Sequence, residues 1–134
     1  MSAPGKPKGR PSSRERLHKR ARMGFRGYPV GTIAFYGKDD KRACKVAAAV
    51  ILGDDQPPAA LERWWSDDTD IRYDEKIIRA VGEFLRKHEV RTIAIADKIM
   101  GCPHEEGKDY PEGEACPECP FWAGRDRFTG KVLN

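Results

Sequence analysis

Long hydrophobic runs are missing from this chain. Its longest uninterrupted apolar stretch, Val46 to Leu52, has seven residues, against the roughly 18 needed for a membrane-spanning helix. The basic N-terminus is not followed by an apolar stretch of about 7–15 residues, so it does not read as a secretory leader. The expected location is cytoplasmic or nucleoid-associated, with no membrane partner. Cysteine is also scarce, with four in 134 residues. In a reducing compartment so few thiols favour metal or thiolate chemistry over a disulfide frame. Glycine-rich phosphate loops, Gly-x-Ser-x-Gly elbows and paired-histidine zincin helices are absent, which removes the commonest phosphoryl-transfer, esterase and metalloprotease signatures.

Acidic residues are nearly missing from one part of the chain. Residues 1–27 hold nine Lys or Arg and a single acid, Glu15, so they carry +8 of a total +4 and leave −4 for residues 28–134. A basic arm on a mildly acidic body is the pattern of a tether to nucleic acid or another acidic surface. A solubilising tail is the plainer alternative. A transit peptide fits less well, because Leu17, Met23 and Phe25 are too few for an amphipathic face. The arm's candidate contacts are Lys6, Lys8, Arg10, Arg14, Arg16, Lys19, Arg20 and Arg22. With three prolines and two glycines, residues 1–13 bury too little apolar surface to fold alone. Residues 14–22 can form a short helix capped by Ser12 or Ser13, expected to order only on a partner.

What is present suggests a small α+β body from Tyr28 to Met100. Thr32–Tyr36 and Ala43–Leu52 read as strands joined by a turn at Gly37–Lys41. Pro57-Pro58 after Asp54 and Asp55 signals a helix start, and a short helix over 58–65 would turn Leu61, Trp64 and Trp65 inward. Asp74 can cap a longer helix with Ile77, Ile78, Val81, Phe84 and Leu85 on one face. Arg91–Asp97 then reads as a buried strand. The expected order is β-β-α-α-β: a three-stranded sheet, helices on one face, and a C-terminal metal-bound loop region. Three regions result: a largely disordered basic arm (1–27), the α+β body (28–100) and a zinc-binding segment packed on it (101–134). A body of about 70 residues is near the lower limit for a self-sufficient core, so a metal clip would help it.

Residues 101–121, GCPHEEGKDYPEGEACPECPF, concentrate three of the four cysteines with one of three histidines. Cys102-x-His104, eleven intervening residues and Cys116-x-x-Cys119 make a Cys₃His set, a standard closed tetrahedral zinc shell. Gly107, Pro111 and Gly113 permit the turning between the half-sites. Structural Zn²⁺ is the expected cofactor, with free thiols or two disulfides involving Cys44 as the alternatives. Cys44 itself is expected to be a small buried residue of the second strand. The CPEC segment resembles the CPxC knuckle of zinc ribbons and rubredoxin-like sites, with Pro120 where those families often carry glycine.

An enzyme reading is also open. His104-Glu105-Glu106 and Cys116-Pro-Glu-Cys119 resemble the H-x-E and P-C-x-x-C elements of zinc deaminases. That resemblance implies His104, Cys116 and Cys119 as ligands and Glu106 as proton shuttle. Cys102, however, would close the position a catalytic water needs. Asp67, Asp68, Asp70, Asp74 and Asp97 could instead hold magnesium for phosphoryl chemistry, though a solvated loop with helix caps accounts for them more simply. No catalytic residue is assigned. Beyond the knuckle, Phe121 and Trp122 are expected to pack over the metal, while Arg125 and Arg127 remain candidate nucleic-acid contacts.

KPKGRPSSR, residues 6–14, resembles the AT-hook, whose core is Pro-Arg-Gly-Arg-Pro. Pro7, Gly9, Arg10 and Pro11 match it, and Lys8 replaces the first arginine. The resemblance implies an extended strand whose basic side chains enter a narrow A·T minor groove. The sequence therefore suggests a small zinc-binding protein that takes nucleic acid, DNA over RNA, through its arm. A zinc- or magnesium-dependent hydrolase or deaminase is the second reading, and a protein-interaction adaptor the third.

Overall fold

The computed structural model describes residues 11–123. Its elements are α1 (Ser13–Arg22), β1 (Val30–Tyr36), β2 (Lys45–Ile51), β3 (Ala60–Trp65), α2 (Glu75–Lys87) and β4 (Thr92–Ile99), with short 3₁₀ turns at Ile71–Tyr73 and Pro120–Trp122. The four strands lie in the order β3-β2-β1-β4. β1–β2 and β2–β3 are antiparallel, and the chain then crosses through α2 to place β4 parallel to β1.

The α+β class matches the sequence, but the sheet has four strands where three were expected. The extra strand is residues 60–65, read from sequence as a helix. Leu61, Trp64 and Trp65 suit helical spacing, yet the eight residues 58–65 are too few to repay helix nucleation. The free edge of β2 supplies ladder hydrogen bonds instead, pairing Val46 with Trp64 and Ala48 with Glu62. Two-residue periodicity then turns only Trp64 toward the core, and Leu61 and Trp65 remain exposed.

One sheet face carries the core. Ile33 and Phe35 of β1, Val46, Ala48 and Val50 of β2, and Ile93 and Ile99 of β4 meet Ile78, Val81 and Leu85 of α2. The Asp74 carboxylate caps α2 by accepting from the Ile77 N–H at 3.1 Å, as the sequence suggested. Between Ala34 and Phe35 the β1–β4 register slips, so that Phe35 pairs with Ile99. This bulge keeps Ile99 on the core face and leaves Asp97 and Lys98 as extra residues.

Helix α1 does not wait for a partner. Ser12 and Glu15 form a reciprocal capping box, and Leu17 joins the buried cluster under α2 and β4. Arg14 donates to Asp97 at 2.8 Å, its guanidinium lies 4.5 Å from the Tyr73 ring centre, and His18 approaches Asp97 at 3.4 Å. One buried leucine and a set of directional ties fix a helix whose composition alone looked too polar to fold.

Candidate metal centre

β4 ends at Ile99, and the chain turns at once into the cysteine segment. The Met100 N–H donates to the Phe35 carbonyl at 2.7 Å, and the Gly37 N–H donates to the Gly101 carbonyl at 2.9 Å. These two bonds set where Cys102 begins. On the other side, the Trp122 indole N–H donates to the Gly37 carbonyl at 2.8 Å. Both ends of the segment are therefore pinned to the β1–β2 turn. A side chain at Gly37 would force the backbone to shift, because a Cβ would lie 2.2 Å from the Arg42 carbonyl oxygen.

Within this frame Cys102, His104, Cys116 and Cys119 converge, all four ligand atoms lying within 4.8 Å of one another. His104 Nδ1 is 3.4 Å from the Cys102 sulfur, 3.4 Å from Cys116 and 3.5 Å from Cys119. The one-residue gap of Cys102-Pro-His104 works because the chain folds back on itself, and the His104 N–H reaches the Cys102 sulfur at 3.2 Å. The residues are positioned to bind a metal ion. They form the one such cluster of histidine, cysteine or carboxylate groups among the described residues.

The three cysteines are buried, and Tyr110 and Trp122 pack around them. Burial pushes the Cys102 and Cys119 thiols well above the ordinary range, reinforced at Cys119 by its cysteine neighbours. A metal would have to displace those protons, and its charge would replace the solvation that burial removes. Cys44 is buried, unpaired and outside the cluster.

The neighbouring carboxylates are already engaged. Glu105 meets Lys45 Nζ at 3.1 Å and Arg63 Nε at 2.6 Å, while Lys45 also donates to the Pro103 carbonyl at 2.7 Å. Burial alone would raise the Glu105 carboxyl, but the Lys45 hydrogen bond and charge outweigh it and hold it low. Lys45 was not marked as important by sequence, where a lone lysine in an apolar strand gave no hint of its partner. Glu106 accepts from the Gly113 N–H at 2.6 Å. The cavity beside the cluster is about 150 Å³, below the roughly 300 Å³ at which small-molecule sites begin.

The acids considered for a second metal are dispersed. Asp70 forms a paired contact with Arg72 at 2.6 Å, Asp74 caps α2, and Asp97 belongs to α1's ties. Of the basic candidates, Arg16, Lys19, Arg20 and Arg22 stand exposed on α1, whereas Arg14 is turned inward onto Asp97. Lys6, Lys8, Arg10, Arg125 and Arg127 lie outside the described residues. No family model, curated protein or solved structure matches this chain.

Proposed function

We propose that this chain is a zinc-clipped nucleic-acid-binding module, in which the metal is structural and duplex DNA is the preferred partner. The zinc assignment rests on donor chemistry: three thiolates and one imidazole form a soft, four-ligand set suited to zinc. The 3.4–3.5 Å separations from nitrogen to sulfur agree with the roughly 3.5 Å edge of a tetrahedron built on ordinary Zn–N and Zn–S bonds. Four protein ligands leave no position for a reacting water, and both nearby glutamates are held elsewhere. This favours a clip over a deaminase-like centre.

The observation that carries the nucleic-acid reading is the placement of the exposed cations. Arg16, Lys19, Arg20 and Arg22 on α1 lie beside Arg79 and Arg86 of α2 around one groove. In sequence, Lys6, Lys8 and Arg10 lead directly into that surface. The metal segment has the opposite character, with six acids against Lys108 between residues 101 and 123, so phosphate would approach the helical side.

The fold dictates how to test it. Removing residues 1–27 would strip Leu17 from the core, so the informative truncation ends at Pro11. That truncation should weaken duplex binding at least tenfold with metal content unchanged. Arg10→Ala should reduce the preference for A·T-rich over G·C-rich duplex, whereas Arg22→Ala should weaken both alike. Undiminished binding by the truncated chain would refute the arm's role.

A further inference from the structure

The chain between α1 and β1 turns an aromatic ring to solvent. Phe25 is 67% exposed, more than any other large hydrophobic side chain among the described residues. Its position is nonetheless fixed. Gly24, at φ +76°, turns the chain out of α1, and its N–H donates to the Ala21 carbonyl at 3.2 Å. The Arg26 N–H donates to the Thr92 hydroxyl at 2.8 Å, and that hydroxyl donates in turn to the Gly27 carbonyl at 2.7 Å. One buried side chain of β4 thus grips the two residues that follow Phe25.

Tyr28 supports the ring. The two aromatics meet edge to face with centroids 5.3 Å apart, and the Tyr28 hydroxyl is bonded to Asp54. An edge-to-face pair uses one face of one ring and only an edge of the other. At least one face of Phe25 is therefore open.

The surroundings of that open face are basic. No acid occurs in the sequence between Glu15 and Asp39. Arg26 adjoins Phe25, and the Arg91 side chain lies against the loop, its Cδ and Nη1 each 3.5 Å from where a Cβ on Gly27 would stand. Arg20 donates to the Val90 and Arg91 carbonyls at 3.3 and 3.4 Å, so the last turn of α1 holds Arg91 beside the loop. Arg26 and Arg91 are exposed, and neither has an ion-pair partner among the described residues. Asp54 is engaged by Tyr28, and Glu89 lines the neighbouring groove between α1 and α2 without pairing to either arginine.

We infer that Phe25 is a stacking platform for an unpaired nucleobase, with Arg26 and Arg91 taking adjacent phosphates. The inference rests on the nucleic-acid reading and narrows its ligand to a duplex that carries an unpaired nucleotide, as at an overhang, gap or bulge. A nucleotide offers a π face and one negative charge, and the loop presents an open ring beside two unpaired cations. An apolar protein surface would cover those cations without pairing them. Stacking one base on an aromatic ring raises affinity about tenfold or more. Prying apart a paired step consumes a gain of that size, so a single ring favours a base already unpaired over a wedge between base pairs. The arm enters at one end of α1 and the loop leaves at the other, about 15 Å away for ten residues. Duplex contacts and the stacked base therefore occupy separate stretches of the ligand.

The test compares three labelled probes: a blunt duplex of about 16 base pairs, the same duplex with an overhang of about four thymines, and the longer strand alone. The full chain should bind the overhang duplex about tenfold more tightly than the blunt one at equal salt. Phe25→Ala and Phe25→Leu should erase that advantage and leave blunt-duplex affinity unchanged, because leucine keeps apolar bulk but has no ring. Phe25→Trp should retain the advantage. Arg26→Ala and Arg91→Ala should each weaken the overhang duplex alone and reduce its salt slope by about 0.7. A fluorescent purine analogue placed in the overhang should change its emission with the unaltered chain and not with Phe25→Ala. Phe25 lies outside the core, so these variants should keep their fold and metal content.

Equal affinity for blunt and overhang duplexes would overturn the inference while leaving the arm's role standing. A Phe25→Leu chain that keeps the overhang advantage would overturn stacking. Equal losses on both duplexes in Phe25→Ala would indicate a wedge between base pairs and would overturn it too. Phe25-dependent binding of the overhang and single-stranded probes, with none to the blunt duplex, would uphold the platform and refute duplex as the preferred partner. Failure to bind any probe would overturn both this inference and the reading beneath it.

Discussion

Glu75, in the first turn of α2, receives two hydrogen bonds from Ser13, sixty-two residues earlier. The Ser13 backbone N–H donates to Oε1 at 2.9 Å and its hydroxyl donates to Oε2 at 2.7 Å. One carboxylate thus joins the N-terminal ends of both helices, and α1 is held to the body at the point where the basic arm enters. The Ser13 hydroxyl and backbone bonds hold the Glu75 carboxyl below the usual glutamate range.

That depression makes α1's attachment sensitive to acid. A carboxylate whose folded value is lowered contributes stability that is complete above the unfolded value and lost as pH falls through the folded one. Docking of α1 should therefore be constant at neutral pH and weaken progressively below about 4.5. Amide exchange of residues 13–22 should quicken in that window before the sheet does. Glu75→Gln should abolish this acid step and cost about 1 kcal/mol at pH 7.

Metal binding has a sharp stoichiometric expectation. Elemental analysis should find one zinc per chain, and Cys116→Ser should release it and expose Trp122, read by its fluorescence. Cys44→Ser should leave the metal content unchanged, because Cys44 lies outside the cluster. Cobalt-substituted protein should have a tetrahedral, sulfur-rich spectrum indifferent to azide. A spectral response to azide would indicate an open position and restore the enzyme reading.

Lys45 offers a test of how the metal segment is anchored. Its ammonium is buried against the Pro103 carbonyl and Glu105. Lys45→Ala should cost about 2 kcal/mol, less than for a fully buried pair because Glu105 is part-exposed and keeps Arg63. Denaturant unfolding would measure it. Lys45→Met should recover part of the loss by replacing the aliphatic stem.

Two glycines should respond in opposite directions. Gly37→Ala would drive a Cβ to 2.2 Å from the Arg42 carbonyl and should cost about 2–3 kcal/mol, because backbone has to move. Gly82→Ala meets open space and should stabilise by up to about 1 kcal/mol. Thermal unfolding of the two variants side by side would check both signs.

Duplex binding should depend steeply on salt. If about five of the arm and α1 cations contact phosphate, log K should fall against log salt with a slope near −4 to −5. Lys19→Ala should reduce that slope by about 1. A salt-independent affinity would contradict phosphate contact as the main term.

Sequence alone determined the features whose signals are local. Ligand chemistry and spacing pick out Cys102, His104, Cys116 and Cys119, because a metal shell needs particular atoms, and those atoms lie within eighteen residues. The amphipathic period and Asp74 cap specify α2 for the same reason: a helix is built from bonds between near neighbours. The tertiary structure decided what depends on a distant surface. Residues 60–65 became a strand because β2 offered an edge, and α1 became part of the fold because Leu17, Ser13 and Arg14 found the core, Glu75 and Asp97. The role of Lys45 was equally hidden, since a buried ammonium finds the Pro103 carbonyl and Glu105 only once residues far apart in the chain are brought together.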